Sequence, residues 1–536
     1  MNMNLKWHTW LCGLMSAALV SLSSAADSGS VPRPTATAIP VLRWGADIES
    51  GAPFAFKDPS SPDKIIGFEA ELVEALAREM GREVEFHQNN WEGLIEGLKR
   101  RDYDIVVNGL EITQDRRSVV NFSSPYYVTS EVLTVRRSNS DVERLEDLKG
   151  RRVGTLSGSL AQRILETYPV PMIVVPYTEE TYLYNDLALG RVDGVLLDEP
   201  VVIYYAKPDP RLKIVGGPVG RMEYGIATRK SDVALAKDIE SALQKLIRNG
   251  TLRTILERWG LWNDLSAREW KMEARPQTDP VAFERFIESA WGEVTWTQRL
   301  RRYASFLPLL AKGAWMTLRI SILAMVVAMA VGLVAALARL YGPLILRWLV
   351  VAYVEVFRGT PLLIQLFLIF YGLPHLGIRL DPFTAAVVGL GLNYGACEAE
   401  NYRAGILAVP KAQMDASQAL GMSWGQSLRH IVLPQALRVV IPPVTNDFIA
   451  LLKDSSLVSI ITMVELTATY GQLASTYFDY LGIGLLTAAV YFLIGLPFVR
   501  LSRYFESHLN SHLRSSEPVS RRSPVVLSRM LQRRSS

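Results

Sequence analysis

The chain has 536 residues, with 57 Lys and Arg against 53 Asp and Glu and a formal net charge of +4. That length exceeds one ordinary domain and calls for two or three, and the near balance of charge gives no ground for a nucleic-acid partner. Two cysteines, Cys12 and Cys397, exclude a disulfide framework. The six histidines show no metal-ligand spacing, and His508 and His512 read as a solvated face of a basic tail, so neither metal nor other cofactor is expected.

Residues 1–26 read as a secretory signal, with Lys6 as the positive start, Trp10 to Leu22 as the apolar core and Ser24-Ala25-Ala26 as the cleavage site. A short uncleaved anchor is the alternative, and either one exports the chain from residue 27 onward. Residues 27–40, rich in Ser, Thr and Pro, read as a flexible leader.

From 41 to 262 strand and helix patterns alternate, as in an α/β domain. VLRWGAD, EVEFHQ, DIVVNG, RRVGTLS, MIVVPY and DGVLLD are the strand candidates. GFEAELVEALAREMG and WEGLIEGLKRR carry helical periodicity. EVLTVRR (131–137) and MEYGIATRK (222–230) read as two crossings between lobes. Lobe one is then 41–130 plus 225–262, and lobe two is 131–224. Residues 263–302 are polar, with Trp, Pro and mixed charge, and read as a linker or surface helix.

The remainder, 303–505, reads as an all-α membrane domain. Ile320 to Ala338 carries no charge and, at about 1.5 Å per residue, covers roughly 28 Å, enough for a bilayer core. Further spans are expected near 344–373 (interrupted by Glu355, Arg358 and Pro361), 382–407, 437–463 and 480–499, five in all. Cations around 410–438 and in the Arg-rich tail (506–536) assign those parts to the cytoplasm, which leaves the α/β domain outside. Glu355 with Arg358, and Glu400 with Arg403, are three apart and read as structural pairs. Arg319, Asn446 and Asp447 are candidates to line a path through the spans.

Between two apolar segments lies MDASQALGMSWGQSLRHIVLP (414–434). Pro410 opens a helix, Gly421 suits a turn, and a second short helix runs through Trp424, Leu428 and Ile431 until Pro434 breaks it. This loop resembles the EAA…G…I-LP coupling loop of ABC-importer permeases, with Asp415, Ala416 and Ser417 as its triplet, Gly421 as its glycine and Pro434 at its end. The resemblance implies that the loop docks on a separate ATPase subunit. VEVFRGTPLLIQL and ENYRAGILAVP narrow it to His/Glu/Gln/Arg-type permeases, although Cys397 and Glu398 replace the usual pattern before Glu400. No G-x-x-x-x-G-K-[ST] occurs, so an enzymatic role is not expected and ATP hydrolysis is assigned to the partner.

The motifs GFEAELVEALAREMG, W-x-x-LI-x-x-L, NGLEITQDRRSVVNFSSPYY and GRVDGVLLDEPVVIYY resemble the polar amino-acid family (family 3) of periplasmic solute-binding proteins. The resemblance implies a bilobed binding fold, and a multi-pass protein of the bacterial inner membrane with its binding domain on the periplasmic side. It also implies that Arg116 and Ser159 hold the ligand carboxylate, with Thr113 and the Gly109 backbone adding hydrogen bonds, and that Asp198 holds the ammonium. Physical chemistry agrees, since a planar guanidinium matches a carboxylate and N–H groups at a helix start bind anions. Phe54 and Trp91 match bulky positions near the cleft, and Asp47 ends the first strand. Glu111 stands where the family places a hydroxyl. On the side of Thr113 it faces the cleft, which predicts basic or amide side chains over acidic ones. The expected whole is a solute-binding domain fused to an importer permease, a homodimer embedded in lipid. An amino-acid-gated channel or receptor with the same binding fold is the alternative.

Overall fold

The computed structural model describes residues 40–514 apart from 60, 293, 294 and 478. The expected signal, all but Pro40 of the leader, and the tail beyond 514 lie outside the described residues. The first sheet has the order β4-β1-β5-β12-β6, with β1 at Val41–Ala46, β4 at Glu83–Gln88, β5 at Ile105–Val106, β6 at Val120–Phe122 and β12 at Ala227–Arg229. β1 runs parallel to β4 and β5, while β12 is antiparallel to β5 and β6. Alternation in β1 turns Leu42, Trp44 and Ala46 inward. The helix Phe68–Met80 buries Phe68, Leu72, Val73 and Leu76, spaced to form one face, and Gly81 ends it at φ 62°. Each such side chain contributes about 1.5–3 kcal/mol by leaving water. β2 (Phe56–Asp58) and β3 (Ser61–Ile66) form a separate hairpin.

The second sheet has the order β11-β7-β10-β8-β9, with β7 at Tyr127–Arg136, β8 at Arg152–Leu156, β9 at Ile173–Tyr177, β10 at Gly194–Asp198 and β11 at Leu212–Tyr224. The crossings are therefore short, 123–126 and 225–226. EVLTVRR is not the first crossing: its first six residues form the second half of β7, which pairs with β10 on one side and β11 on the other. Its mixed composition hid a central strand. The segment expected as a linker or surface helix carries helices at Asp264–Glu269 and Val281–Trp291. Phe286 is buried against Phe56 and Tyr204, with ring centroids 5.6 and 5.0 Å away.

The helical region begins with Trp296–Tyr341. Leu344–Gly359 and Leu362–Leu376 meet at a 110° bend beside Pro361, followed by Pro382–Ala408, Leu433–Asp454, Leu466–Tyr477 and Tyr480–Arg514. All five expected spans fall on helices. Among the described residues, two helices, Trp296–Tyr341 and Tyr480–Phe505, are long and apolar enough to cross a membrane, or three spans if the bent pair is one. Pro382–Ala408 carries Glu398, Glu400 and Arg403, and Leu433–Asp454 carries Asp447 and Lys453, which dilute their hydropathy. Glu400 does pair with Arg403 (2.7 Å) and also with Arg339. No salt bridge joins Glu355 to Arg358 among the described residues. Small residues let helices approach: Gly391 of Pro382–Ala408 packs on Val327, and Gly332 faces Glu398.

The 410–434 segment forms a helix at Lys411–Ala419, a turn at Gly421 and a second helix from Trp424 whose Ser423 cap is reinforced by Gln426. Pro434 does not end that helix. A π-turn at Leu428–Val432, closed by Leu433 N–H to the Leu428 carbonyl, accommodates the proline and the chain runs on to Asp454. Gly421 sits at φ +87°, a region costly to side-chain-bearing residues, yet nothing lies within 4 Å of a Cβ placed there. Gly421→Val should therefore act through the backbone alone, loosening this turn by about 1–3 kcal/mol. Hydrogen exchange should accelerate across 411–432 and stay unchanged in the two sheets; uniform protection would contradict this.

Candidate functional site

A cavity of about 160 Å³ lies between the two sheets, small beside the roughly 300–1,000 Å³ of drug-sized ligand sites. Asp47, Glu49, Glu92 and Glu111 line it from the first lobe, and Glu179, Glu180 and Asp198 from the second. No Lys, Arg or His is among its lining residues. Of the nine residues expected from the sequence, Asp47, Phe54, Trp91, Gly109, Glu111, Ser159 and Asp198 line the cavity; Thr113 and Arg116 do not.

Asp47 leaves β1 at the sheet edge and accepts hydrogen bonds from the backbone N–H of Glu49 (2.9 Å) and Trp91 (2.8 Å) and from Gln88 Nε2 (2.9 Å). Burial raises its pKa against the pull of these three donors. The Asp47 carboxylate thus holds two wall segments together. Phe54 is buried beside Phe68 and Tyr224 and touches the Gly109 backbone, where a Cβ would meet its ring at 2.9 Å. The Gly109 N–H donates to Glu69 Oε1 at 2.6 Å, so it points into the domain and not to a ligand. Burial pushes Glu69 up to about 8 although Tyr126 and Gly109 both donate to it. Thr113 caps the helix Gln114–Val119 by accepting from Arg116 N–H at 3.3 Å.

The expected carboxylate site holds a carboxylate from the chain itself. Glu111 Oε2 pairs with the Arg116 guanidinium, and Glu111 Oε1 accepts from Leu160 N–H at 3.0 Å, across the cleft at the start of the helix Leu160–Thr167. Arg116 also donates to the Gly158 carbonyl at 3.2 Å and lies 5.4 Å from the Trp91 ring. Ser159 is occupied locally, donating to the Leu156 carbonyl (2.8 Å) and capping Gln162 N–H (3.2 Å). Glu111 thus bridges the lobes by satisfying both Arg116 and the helix start.

The opposite wall is more acidic than the sequence reading anticipated. Asp198 accepts from the Tyr224 hydroxyl, and burial followed by the Glu111 charge pushes it up to about 7. Glu131 stands directly across from Asp198 in the β10–β7 register, fully buried, and neither of its oxygens finds a donor among the described residues. Burial and the Asp198 charge hold Glu131 well above the usual carboxylate range. Glu180 is likewise driven up by burial, and Glu179 to about 7. Glu49, Glu69, Glu131, Glu179 and Glu180 were not singled out from the sequence. Only the Asp198–Glu131 pairing had a readable signal, the alignment of two strands, and misreading 131–137 as a crossing concealed it.

The comparisons with known proteins fall on both halves. Residues 42–261 match the model of bacterial extracellular solute-binding proteins, family 3, and residues 328–511 match that of the binding-protein-dependent transport system inner membrane component. The L-cystine transport system permease protein TcyB of Bacillus subtilis (strain 168) is 40% identical over 210 residues, 39% of this chain and 90% of the relative. The chain belongs to the polar amino-acid ABC transporters. It fuses their solute-binding and permease domains, and the channel alternative falls away. The glutamine transport system permease protein GlnP of Escherichia coli (strain K12) is 38% identical over 205 residues, 38% of this chain and 94% of the relative. The L-cystine-binding protein TcyJ of E. coli (strain K12) is 29% identical over 254 residues, 46% of this chain and 94% of the relative. The permease domain is accordingly an inner-membrane component, and the binding domain is periplasmic in this family.

In the permease half, Met414 and Leu428 of the 410–434 segment pack against Ile406, Val432 and Ala436, while Asp415, Ala416 and Leu420 are exposed, Leu420 by 86%. Of the candidates for the transport path, Asp447 accepts from Asn401 Nδ2 (2.8 Å) and Asn446 from Ser502 (3.1 Å), and Arg319 lies over the Phe383 ring.

Because the Arg116 and Glu111 side chains are 12% and 3% exposed, removing one partner leaves the other charge buried. Glu111→Gln should lower stability by about 3 kcal/mol. A ligand carboxylate should then replace the missing anion, so the ligand-induced rise in Tm should exceed that of the parent chain. Equal rises would show that Arg116 does not receive the ligand carboxylate.

Proposed function

We propose that this transporter takes up an amino acid whose side chain ends in a cation or an amide. One observation carries the reading: seven carboxylates from two lobes line a cavity whose lining holds no cation. Desolvated carboxylates are costly unless donors reach them, and a ligand that brings an α-ammonium and a second donor supplies what the walls lack. The α-carboxylate goes to Arg116 and the helix start at Ser159, displacing Glu111, and the α-ammonium goes to Asp198. Thr113 and Gly109 then act by shaping the loop, with no hydrogen bond to the ligand. The names of the relatives, for cystine and glutamine, suit ligands with polar far ends that donate hydrogen bonds. A separate ATPase subunit hydrolyses ATP and docks on the exposed face carrying Asp415, Ala416 and Leu420, with Gly421 and Pro434 setting its shape. The permease half works as a homodimer, with its outward apolar side chains, among them Ile322, Leu481, Leu485 and Phe492, against lipid.

The test is calorimetry on the full chain with arginine, lysine, glutamine, cystine and glutamate at several pH values. The sign comes from linkage. Asp198 and Glu179 sit at about 7, above an unperturbed carboxylate, so a cationic ligand must displace protons below that value. Affinity should rise from pH 6 to pH 8, by at most about tenfold per unit for each proton released. Without ligand the same shifts act oppositely on stability. The buried acids favour their neutral forms, so stability present at about pH 4 is lost as pH rises through about 7. Glutamate as the tightest ligand, or an affinity that falls with pH for arginine, would overturn the reading.

A further inference from the structure

Glu49 and Glu179 line the cavity from opposite lobes, and both also reach the permease half. Glu179 Oε2 accepts a hydrogen bond from the Tyr480 hydroxyl at 3.2 Å, and Thr181 is hydrogen-bonded to the same hydroxyl. The Tyr182 and Tyr480 rings lie 4.9 Å apart. Glu49 approaches the helix Leu466–Tyr477 at Gly471. A Cβ placed there would lie 3.1 Å from Glu49 Oε1 and 3.3 Å from Oε2, so the carboxylate rests on bare backbone. The first lobe is anchored independently by Arg100, which donates to the carbonyls of Phe370 (2.6 Å) and Leu380 (3.2 Å), and by the Pro59 carbonyl, which accepts from Tyr477.

Among the described residues the permease brings these two carboxylates no counter-ion. Besides burial, Glu49 experiences the charges of Asp47, Glu179 and Glu465, the last from the permease itself. Glu179 experiences Asp47 and the Tyr480 hydroxyl. No cation is among these groups. Docking therefore takes water from both carboxylates and adds a third negative charge nearby, a change that is unfavourable unless opposite charge arrives. The remaining place for that charge is the cavity that both residues line.

We propose that Glu49 and Glu179 make docking on the permease selective for a ligand with a cationic end, which acts as the counter-ion of the interface. This rests on the ligand class proposed above and narrows uptake to its cationic members. A neutral amino acid that binds in the cavity would then be held without being passed on, so uptake would be more selective than binding.

Spin labels at Gly217→Cys, where a Cβ meets nothing within 4 Å, and at Leu376→Cys, 77% exposed, report the distance between the second lobe and the permease. The labels go into the full chain carrying Cys12→Ser and Cys397→Ser, in nanodiscs at pH 8. The parent should give a broad distance distribution alone or with glutamine bound, and a narrow one with arginine bound. The Glu49→Gln/Glu179→Gln variant should give the narrow distribution with no amino acid added, and each single variant an intermediate one. A narrow distribution for the parent alone, equal narrowing by bound glutamine and bound arginine, or a double variant that stays broad would overturn the proposal. Calorimetry on the same samples separates the two readings. Absence of arginine binding would refute the ligand class, while the ligand-free comparison of parent and double variant still decides the role of Glu49 and Glu179.

Discussion

The constraint on which this binding domain depends is an excess of carboxylates in and around the cleft between its lobes. Asp47, Glu111, Glu131, Glu180 and Asp198 are all buried, and the Arg116 guanidinium is shared with Glu111 and the Gly158 carbonyl. Such a set cannot be fully ionised at low cost. Part of it is met by backbone donors, as at Asp47 and Glu111, and part by proton uptake, as at Glu131. What remains is a demand for positive charge, and it fits the chemistry of amino acids with ammonium, guanidinium or amide ends.

The same balance of charge explains why Glu111 bridges the lobes. A carboxylate between a guanidinium and a helix start is among the stronger charge-assisted arrangements available. On the proposed reading, ligand and Glu111 compete for one anion site, and the cleft keeps a closing interaction whichever of them holds it. Expelling Glu111 would then lower ligand affinity and free its carboxylate to meet an incoming cation.

Fusion in one chain places the binding domain against its permease without a search through solution. Contacts come from both lobes: Arg100 and Pro59 from the first, and Glu179 and Thr181 from the second. A lobe movement that opened the cleft would alter one set relative to the other, so the permease is in contact with the closure of the domain as well as its presence. The far end of the permease is arranged differently: 410–434 packs one face on its own helices and leaves Leu420 in the open.

Local pattern was enough for several parts of this protein. Alternating residues marked β1 and β8, a helical stripe marked Phe68–Met80, and apolar runs marked the long helices, because period and hydropathy are properties of contiguous residues. The motif around Arg116 and the glycine turn at 421 were legible for the same reason. Other features depended on residues far apart in the chain. Glu131 faces Asp198 only through the register of β7 with β10, Glu111 meets Leu160 only when the lobes close, and Glu179 meets Tyr480 across 301 positions. Pro434 was misread because a π-turn relieves a proline that an α-turn would not accept. The sequence alone determined the two-part architecture and named Arg116 and Ser159 as candidates for a ligand carboxylate. Only tertiary structure decided which charges share the cavity, because desolvation and pairing depend on neighbours brought together by folding.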